Sequence, residues 1–275
     1  MMVTRFAPSP TGLLHLGHAY SAAIAAASGR FLLRIEDLDR GRSRAEFVAA
    51  IPDDLAWLGL TPAEPPLVQS RRGAHYGAAL ERLRGQGLAY PCFCTRADIA
   101  AALTAPHGAI PHYPGTCRSL PDDPARRAEI AHSWRLDIAA ALARTGLPSW
   151  REGDRLYHAA RADLDDIILA RKDAPAAYHL ACVVDDAASG VTLVTRGVDL
   201  RPSTPVQRLL QNLLDLPEPG YFHHRLVTHA EGRRLAKRDR APTLAAMRAD
   251  GIDGRTLATN LLAGQLPLGF GWADA

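Results

Sequence analysis

The sequence predicts an α/β fold with a parallel sheet, an inserted metal-binding segment and a short helical C-terminal region. Three observations predict it. The chain opens with a strand, turn, helix, strand pattern, its middle is rich in cysteine and proline and has no periodicity, and strand and helix patterns return afterwards. Its 275 residues and 47% apolar content suffice for a substantial core.

The first elements are predicted from local patterns. Residues 3–7 form a short apolar strand, the turn residues SPTG follow, and residues 16–28 form an alanine-rich helix. GRFLLRIEDLDR adds a second strand that ends in acidic residues. Amphipathic helices are predicted over residues 45–58 and 73–86. Because this order is typical of a parallel sheet, we expect a ligand site at the carboxyl ends of its strands.

Composition divides the chain into four segments. From residue 89, cysteines, prolines and glycines replace periodicity, and the pattern resumes in AYHLACVVDDAASGVTLVTRG, interpreted as a helix, an acidic turn and a strand. We expect the first half of the sheet domain over residues 1–88 and its second half over residues 173–228. Between them, residues 89–172 form an inserted zinc-binding and acceptor-type subdomain. Residues 229–275 form a lysine-bearing loop and C-terminal helices.

Composition also excludes several classes of protein. No apolar run approaches the roughly 20 residues that cross a bilayer, and the chain does not start with a secretion signal. We therefore expect a cytoplasmic protein without a membrane partner. The four cysteines make a poor disulfide framework. A formal charge of +3 does not by itself indicate nucleic acid, although RLVTHAEGRRLAKRDRAPTLAAMR is locally basic.

Two distant motifs indicate a nucleotide site. In HLGH, at the start of the first helix, His15 and His18 are three residues apart and face one side, and Gly17 leaves space for a phosphate or a flat ring. GRRLAKRDRA carries Lys237, one of only two lysines among 32 basic residues, and an ammonium group there can neutralise charge on an α-phosphate. Taken singly, the histidines are equally consistent with helix capping, and the loop with a solvated basic surface.

The cysteine spacing indicates a structural zinc site. Cys92 and Cys94 lie on one tight turn, and Cys117 follows after a loop. Three thiolates need a fourth donor for tetrahedral zinc, and His107, His112 and Tyr113 all lie in that loop. Free buried cysteines are the alternative. Cys182, in an apolar run, is predicted to be a core residue.

Together these motifs resemble the class I aminoacyl-tRNA synthetases, in their glutamyl branch. HLGH matches the first signature of that class, RLAKR resembles the lysine-bearing second signature, and RFAPSPTG, RIEDLD, YHLACVVDD and RGVDL occur in family order. Arg234 and Ala236 depart from the usual Lys and Ser of the second signature. The resemblance implies a Rossmann-like catalytic core that uses ATP and Mg²⁺, with ATP held by His15, Gly17, His18 and Lys237.

The same resemblance implies a site for L-glutamate, which carries one ammonium group and two carboxylates. Such a pocket needs an acid, more than one cation and neutral donors. Glu36 suits the ammonium group, and Arg5 and Arg196 suit the carboxylates, with Arg196 expected on the side chain. Ser9 and Tyr178 are expected to complete the hydrogen bonding. The family pattern also favours Tyr113 as the fourth zinc ligand.

The chain ends soon after Lys237, at residue 275, where we expect no anticodon-binding region to fit. It therefore resembles a short branch of the family that transfers glutamate to the queuosine base of tRNA(Asp), and we expect a monomer. The alternatives are action on another tRNA, a small-molecule acceptor, or a non-catalytic RNA-binding role.

Overall fold

The computed structural model describes residues 1–95, 97–99, 113–121, 123–233, 235 and 242–273. Its helices are α1 (Leu16–Ser28), α2 (Ala45–Trp57), α3 (Gly73–Gly85), α4 (Pro124–Glu129), α5 (Ile138–Thr145), α6 (Tyr178–Ala188), α7 (Thr204–Leu213), α8 (Leu244–Ala249) and α9 (Gly254–Leu262). Its strands are β1 (Val3–Phe6), β2 (Arg30–Ile35), β3 (Leu67–Val68), β4 (Ala89–Cys92), β5 (Ser133–Leu136), β6 (Ser149–Glu152), β7 (Arg155–His158), β8 (Ile168–Ala170), β9 (Leu193–Gly197), β10 (Gly220–His224), β11 (Val227–His229) and β12 (Phe270–Trp272).

A parallel sheet organises the molecule. β2 pairs in parallel with β1 and β3, and β10 pairs in parallel with β9 and β6. The amide of Thr192, just before β9, donates to the Val3 carbonyl at 3.0 Å, which places β9 beside β1. The strand order is therefore β3-β2-β1-β9-β10-β6, with β7 antiparallel at the end. The predicted parallel α/β architecture is confirmed.

The order of strands reverses between β1 and β9. From β1 the chain moves outward to β2 and β3, and from β9 it moves the other way to β10. In open parallel sheets such a reversal leaves a crevice at the carboxyl ends of the two strands, where ligands bind. The loop after Phe6 and the loop after Gly197 therefore define the expected place for a site.

Two hydrophobic clusters hold the sheet between its helices. One contains apolar residues of α1, α2, α8 and α9 together with alternate residues of β2: Phe31, Leu33 and Ile35. The other contains residues of α3, α5, α6 and α7 with strands of the inserted segment. Because successive strand residues point to opposite faces, Arg34 lies on the face opposite Leu33 and Ile35. That face carries the charged site.

The inserted segment contributes to two sheets. β4, β5 and β8 form an antiparallel sheet of their own, whereas β6 joins the main sheet by pairing with β10. Residues 149–158 thus extend the main sheet, although they lie within the predicted insertion of residues 89–172. The predicted segment boundaries remain a prediction.

Most predicted helix bounds hold, and one local assignment was wrong. The helix predicted over residues 16–28 has those bounds, and the next two end one residue early, at Trp57 and Gly85. The acidic turn predicted after YHLACVV is instead helical: Asp185 and Asp186 lie inside α6 and are buried. Basic partners from other elements compensate for burying these carboxylates.

Within the described part of the chain, no helix has the length and apolar character needed to cross a membrane.

Candidate active site

A cleft of about 480 Å³ opens where the strand order reverses. Its walls come from the loop after β1, the start of α1, the end of β2, the start of α6 and the ends of β9 and β10. The structure brings together in this cleft all the predicted ATP and glutamate residues that it describes: Arg5, Ser9, His15, Gly17, His18, Glu36, Tyr178 and Arg196. Lys237 lies outside the described residues.

The two histidines of HLGH form the N-terminal cap of α1. His15 is the N-cap residue, and its Nδ1 accepts a hydrogen bond from the Gly17 amide at 3.2 Å. The His15 amide donates to Nδ1 of His18 at 3.2 Å, and the two rings lie 3.9 Å apart. Because each Nδ1 accepts a hydrogen bond, the proton of each neutral ring lies on Nε2. The pair therefore offers N–H donors beside the positive end of a helix, which favours phosphate.

Glycine is required at position 17 by the local packing of His15, in addition to the space that it leaves for a ligand. A Cβ at this position would lie 3.1 Å from Cε1 and 3.3 Å from Nδ1 of His15. Any side chain there would press on the ring that caps the helix. Gly17 thus preserves the His15 geometry in addition to lining the cleft.

A buried network of charges holds Arg5 and Glu36 at the cleft. Asp186 accepts from Arg5 Nε at 2.9 Å and also forms a salt bridge with Arg34. Arg34 Nη2 in turn lies 3.0 Å from Glu36 Oε1, which also accepts from the Cys182 thiol at 3.4 Å. Burial raises the pKa of Asp186, but the two guanidinium groups outweigh it and hold the pKa below its usual range. Asp186 therefore stays ionised at neutral pH.

Arg196 is held differently, by neutral groups. Its Nε donates to His223 at 3.1 Å, Nη1 to the Gln207 carbonyl oxygen at 2.6 Å and Nη2 to the Thr204 hydroxyl at 2.8 Å. Among the described residues no carboxylate forms a salt bridge with it, although the residue is only 4% exposed. A buried cation without a counter-ion is costly. The position therefore favours an incoming carboxylate.

Tyr178 and Ser9 complete the wall. Tyr178 begins α6, and burial raises the pKa of its phenol well above the usual range, so the group remains a neutral hydrogen-bonding hydroxyl. Ser9 lies in the loop after β1, where its carbonyl accepts from the Thr11 amide at 2.8 Å. Both are placed to contact a bound ligand, and their roles remain predictions.

Described residues on either side of Lys237 lie in the cleft wall or pair with residues of the first motif. Leu235 lines it. Thr243 pairs with His15 in an isolated antiparallel bridge, and the Leu244 amide donates to the Leu14 carbonyl at 2.8 Å. The described residues that precede and follow Lys237 are therefore close to the cleft and to the HLGH motif.

The cysteine cluster lies in the inserted segment. Ligand atoms of Cys92, Cys94 and Cys117 all lie within 4.8 Å of one another. The Tyr113 hydroxyl is 3.3 Å from Cys92 Sγ and 3.5 Å from Cys94 Sγ. Three sulfurs and one phenol oxygen thus converge, and His107 and His112 lie outside the described residues. This donor set fits a tetrahedral metal site.

The surroundings of the cluster affect how readily its groups lose their protons. Burial raises the pKa of the Cys94 thiol to about 11, and burial together with the neighbouring thiols raises the pKa of Tyr113. Such groups become ligands when a metal displaces their protons. Arg135 Nε also donates to Cys92 Sγ at 3.3 Å, a contact that favours the thiolate.

Sequence reasoning missed the residues that position the predicted ones. Asp186 was interpreted as part of a turn, and no role was predicted for Thr204 and Gln207, which lie in the stretch STPVQ. Its position directly after the strand that carries Arg196 is the signal that could have found it. No motif pointed to His223. The cleft is also lined by residues to which no role was given: Thr11, Tyr20, Ser21, Thr195, Asp199, His224 and Arg225.

Comparisons with known proteins agree with this geometry. Residues 1–269 match the family described as tRNA synthetases class I (E and Q), catalytic domain. A glutamyl-Q tRNA(Asp) synthetase of Rhodobacter capsulatus is 47% identical, covering 91% of this chain and 96% of that protein. One from Nocardia farcinica is 49% identical, covering 88% of this chain and 77% of that protein.

The structural neighbours are longer proteins. The crystal structure of a glutamate-tRNA synthetase from Elizabethkingia anophelis superposes with a TM-score of 0.71 at 27% identity. The match covers 87% of this chain and 53% of that one. The chain thus spans about half the length of this solved structure.

Proposed function

We propose, from the premise that this chain belongs to the class I glutamyl- and glutaminyl-tRNA synthetases, that it activates L-glutamate with ATP and transfers it to the queuosine base of tRNA(Asp). The observation that carries the proposal is the cleft itself, where the start of α1, suited to phosphate, meets a pocket that contains Glu36 and the guanidinium groups of Arg5 and Arg196. Relatives that match nearly the whole of this chain carry the name of that activity.

The first step is adenylate formation. The α-carboxylate of glutamate attacks the α-phosphorus of ATP in line, a P–O bond forms, and the bond to the β-phosphate oxygen breaks to release pyrophosphate. His15 and His18 donate from Nε2, the first amides of α1 add their dipole, and Lys237 neutralises the charge that develops. Mg²⁺, which this class uses with ATP, supplies further neutralisation of the phosphates.

Lys237 is proposed from the neighbours that the structure describes. It is two peptide units from Leu235, and two units reach about 7 Å at most. Since Leu235 lines the cleft, the lysine's four-carbon stem is long enough to bring its ammonium group to the phosphates.

The amino acid is recognised by charge. Glu36 takes the substrate ammonium group, because it is the acid that lines the pocket at the end of β2. Arg5 contributes two of its five N–H groups to Asp186 and the Thr195 carbonyl, which leaves donors for the substrate's α-carboxylate. Arg196 takes the side-chain carboxylate. Glutamine has no such charge, so its binding leaves the Arg196 cation buried without a counter-ion.

The second step is glutamate transfer. A hydroxyl of the cyclopentenediol of queuosine attacks the adenylate carbonyl and an ester bond forms. AMP leaves with the electrons of the broken C–O bond, and the hydroxyl proton passes to the released phosphate or to water. The exposed Arg233 and the further arginines of the lysine loop, Arg234, Arg238 and Arg240, contribute positive charge for tRNA phosphates. These last three lie outside the described residues.

The inserted segment is proposed to bind one zinc ion. Cys92, Cys94, Cys117 and Tyr113 are the ligands, and zinc supplies a covalent staple for a stretch with a small apolar core. Backbone contacts connect this site to the rest of the insertion, since the Tyr113 amide donates to Asp165 at 2.7 Å. Its role is structural, and no chemical step passes through it.

Amino acid-dependent ATP–pyrophosphate exchange, screened over all twenty amino acids, tests the activation step. We expect exchange with glutamate and none above background with glutamine or aspartate. Exchange only with another amino acid, or none at all, would contradict the proposal. A tRNA(Asp) transcript without modified bases tests the acceptor: glutamate attached to it would favour a conventional synthetase.

A further inference from the structure

We propose that His223 and Glu152 are positioning residues for glutamate selection, because they form a hydrogen-bonded chain that fixes the orientation of the Arg196 guanidinium. This inference rests on the proposed function, since it takes Arg196 as the ligand of the substrate's side-chain carboxylate. The chain crosses three neighbouring strands. Arg196 lies in β9, its register partner His223 in β10, and Glu152 in β6 on the far side of β10.

The direction of each hydrogen bond follows from the chemistry of the groups. Arg196 has only donors, so His223 Nε2, at 3.1 Å from Arg196 Nε, must accept. The imidazole proton therefore lies on Nδ1, which is 3.1 Å from Glu152 Oε1 and donates to it. A carboxylate accepts only, so Glu152 selects the tautomer that Arg196 needs.

Glu152 is itself held in place. Its Oε1 also accepts from the His223 amide at 3.0 Å, and its Oε2 accepts from Arg201 Nη2 at 3.1 Å. Burial increases along this chain towards Arg196, since the side chain of Glu152 is 15% exposed and that of His223 is 1% exposed. The inserted segment thus supplies the outer anchor of a residue chain that ends in the cleft.

The imidazole is neutral in this arrangement. Burial, with the adjacent Arg196 charge, lowers the pKa of His223 to about 4. A protonated ring would present an N–H to the Arg196 N–H, and neither could accept. The neutral ring is therefore the form that supports the guanidinium at ordinary pH.

The other contacts of Arg196 explain why loss of the His223 acceptor would change the orientation of the guanidinium. Gln207 and Thr204 take one N–H each from the two terminal nitrogens. With His223 on Nε, two of the five N–H groups of the guanidinium remain for a carboxylate. Without His223, the Nε–H of Arg196 is buried without that acceptor, and the guanidinium rotates towards another hydrogen-bond partner. The two remaining N–H groups of Arg196 then no longer point towards the substrate carboxylate.

The test measures KM for glutamate and KM for ATP separately, by pyrophosphate exchange on the full chain. We expect His223→Leu to raise KM for glutamate by about tenfold or more, as for loss of a hydrogen bond to a charged group, with KM for ATP within about twofold of wild type. His223→Gln should restore glutamate KM to within about threefold, because its carbonyl accepts and its amide donates. His75→Leu, at an exposed histidine of α3, is the matched control and should change neither value.

Glu152→Ala keeps the test valid if His223→Leu fails to fold. We expect the same selective rise in glutamate KM, because the imidazole proton is then free to move to Nε2. The double variant should be no worse than His223→Leu alone, since Glu152 acts through the histidine.

The outcomes separate this inference from the proposed function. Wild-type exchange with glutamate, combined with unchanged glutamate KM in both variants, overturns the positioning role and leaves the function standing. Equal changes in both KM values, or failure of His223→Gln to rescue, would show a merely structural role. No glutamate-dependent exchange by wild type overturns the proposed function and this inference with it.

Discussion

The backbone of Thr243 pairs with that of His15 in an isolated antiparallel bridge. This contact joins the segment that follows Lys237 to the residue that caps α1. On the other side of Lys237, Leu235 lines the same cleft as His15. This arrangement of the described residues supports the proposal that the two motifs share one site.

Lys237→Ala should abolish glutamate activation without unfolding the protein. The lost ammonium group leaves developing phosphate charge without its partner, and we expect exchange to fall by at least about a hundredfold. The other lysine offers a matched control, because Lys172 is exposed in a turn remote in sequence from both motifs. Wild-type exchange rates for Lys237→Ala, with melting temperatures equal for both variants, would refute the role.

Asp186→Asn should destabilise the protein and weaken glutamate binding. Two buried guanidinium groups, of Arg5 and Arg34, lose their shared counter-ion, a change that costs about 3–5 kcal/mol in other buried pairs. Urea unfolding measures the loss. Asp215→Asn, which alters an exposed pair with Arg82, should cost less than about 1 kcal/mol. Similar costs for the two variants would contradict a buried network.

The pH dependence of Asp186 has a definite sign. Its folded pKa lies below the unfolded value, so its contribution is complete at neutral pH and is lost as pH falls through the acid range. The difference in unfolding free energy between wild type and Asp186→Asn should therefore shrink on acidification. A difference that grows towards low pH would show that the carboxylate is not stabilised by its neighbours.

Asp54→Asn should stabilise the protein at alkaline pH. Asp54 is buried in α2, its Oδ2 has no hydrogen-bond partner, and burial raises its pKa to about 6. A folded pKa above the unfolded one means that stability is lost as pH rises, by up to about 3 kcal/mol above pH 6. We expect a gain of about 1–2 kcal/mol in unfolding free energy at pH 8 and a smaller one near pH 4.

Asp53→Asn is the control for this prediction, because the neighbouring carboxyl is exposed. Its effect should stay within about 0.5 kcal/mol at either pH. A loss of stability in Asp54→Asn at pH 8 would mean that the contact of Asp54 with Arg248 outweighs the cost of burial.

Zinc should be present at about one ion per chain, as counted by elemental analysis of the purified protein. Cys117→Ser should remove it and lower the melting temperature, because three ligands hold the ion weakly. Cys182→Ser, at a cysteine beside Glu36 and away from the cluster, should retain the metal. Full zinc content in Cys117→Ser, or none in wild type prepared with zinc, would count against the site.

Tyr113→Phe tests the fourth ligand. Removing only the hydroxyl should weaken zinc binding in a chelator titration, since its oxygen lies within 3.5 Å of two of the sulfurs. An unchanged affinity would assign the fourth position to another donor.

Local pattern was enough to place the end of the cleft that is proposed to bind phosphate. The i, i+3 spacing of His15 and His18 predicts one helix face, and the two ring centroids do lie 3.9 Å apart at the start of α1. Strand alternation likewise predicts that Arg34 points away from Leu33. Such relations depend only on residues near one another in sequence.

Relations between distant residues could not be obtained in this way. Two adjacent aspartates are a turn signal, and only Arg5 and Arg34 from other strands make Asp186 favourable inside a helix. His223 reaches Arg196 only because β10 pairs with β9. Register of this kind is set by tertiary packing, so the positioning residues appeared only with the fold.

Glutamate attachment to tRNA(Asp) with and without queuosine tests the proposed function most directly. Labelled glutamate, ATP and the two tRNAs, isolated from queuosine-producing and queuosine-deficient cells, are compared in parallel, each also after removal of the 3′-terminal adenosine. We predict a labelled product from queuosine-containing tRNA alone, which survives removal of that adenosine. Equal labelling of both tRNAs, or a product lost with the adenosine, would contradict transfer to queuosine.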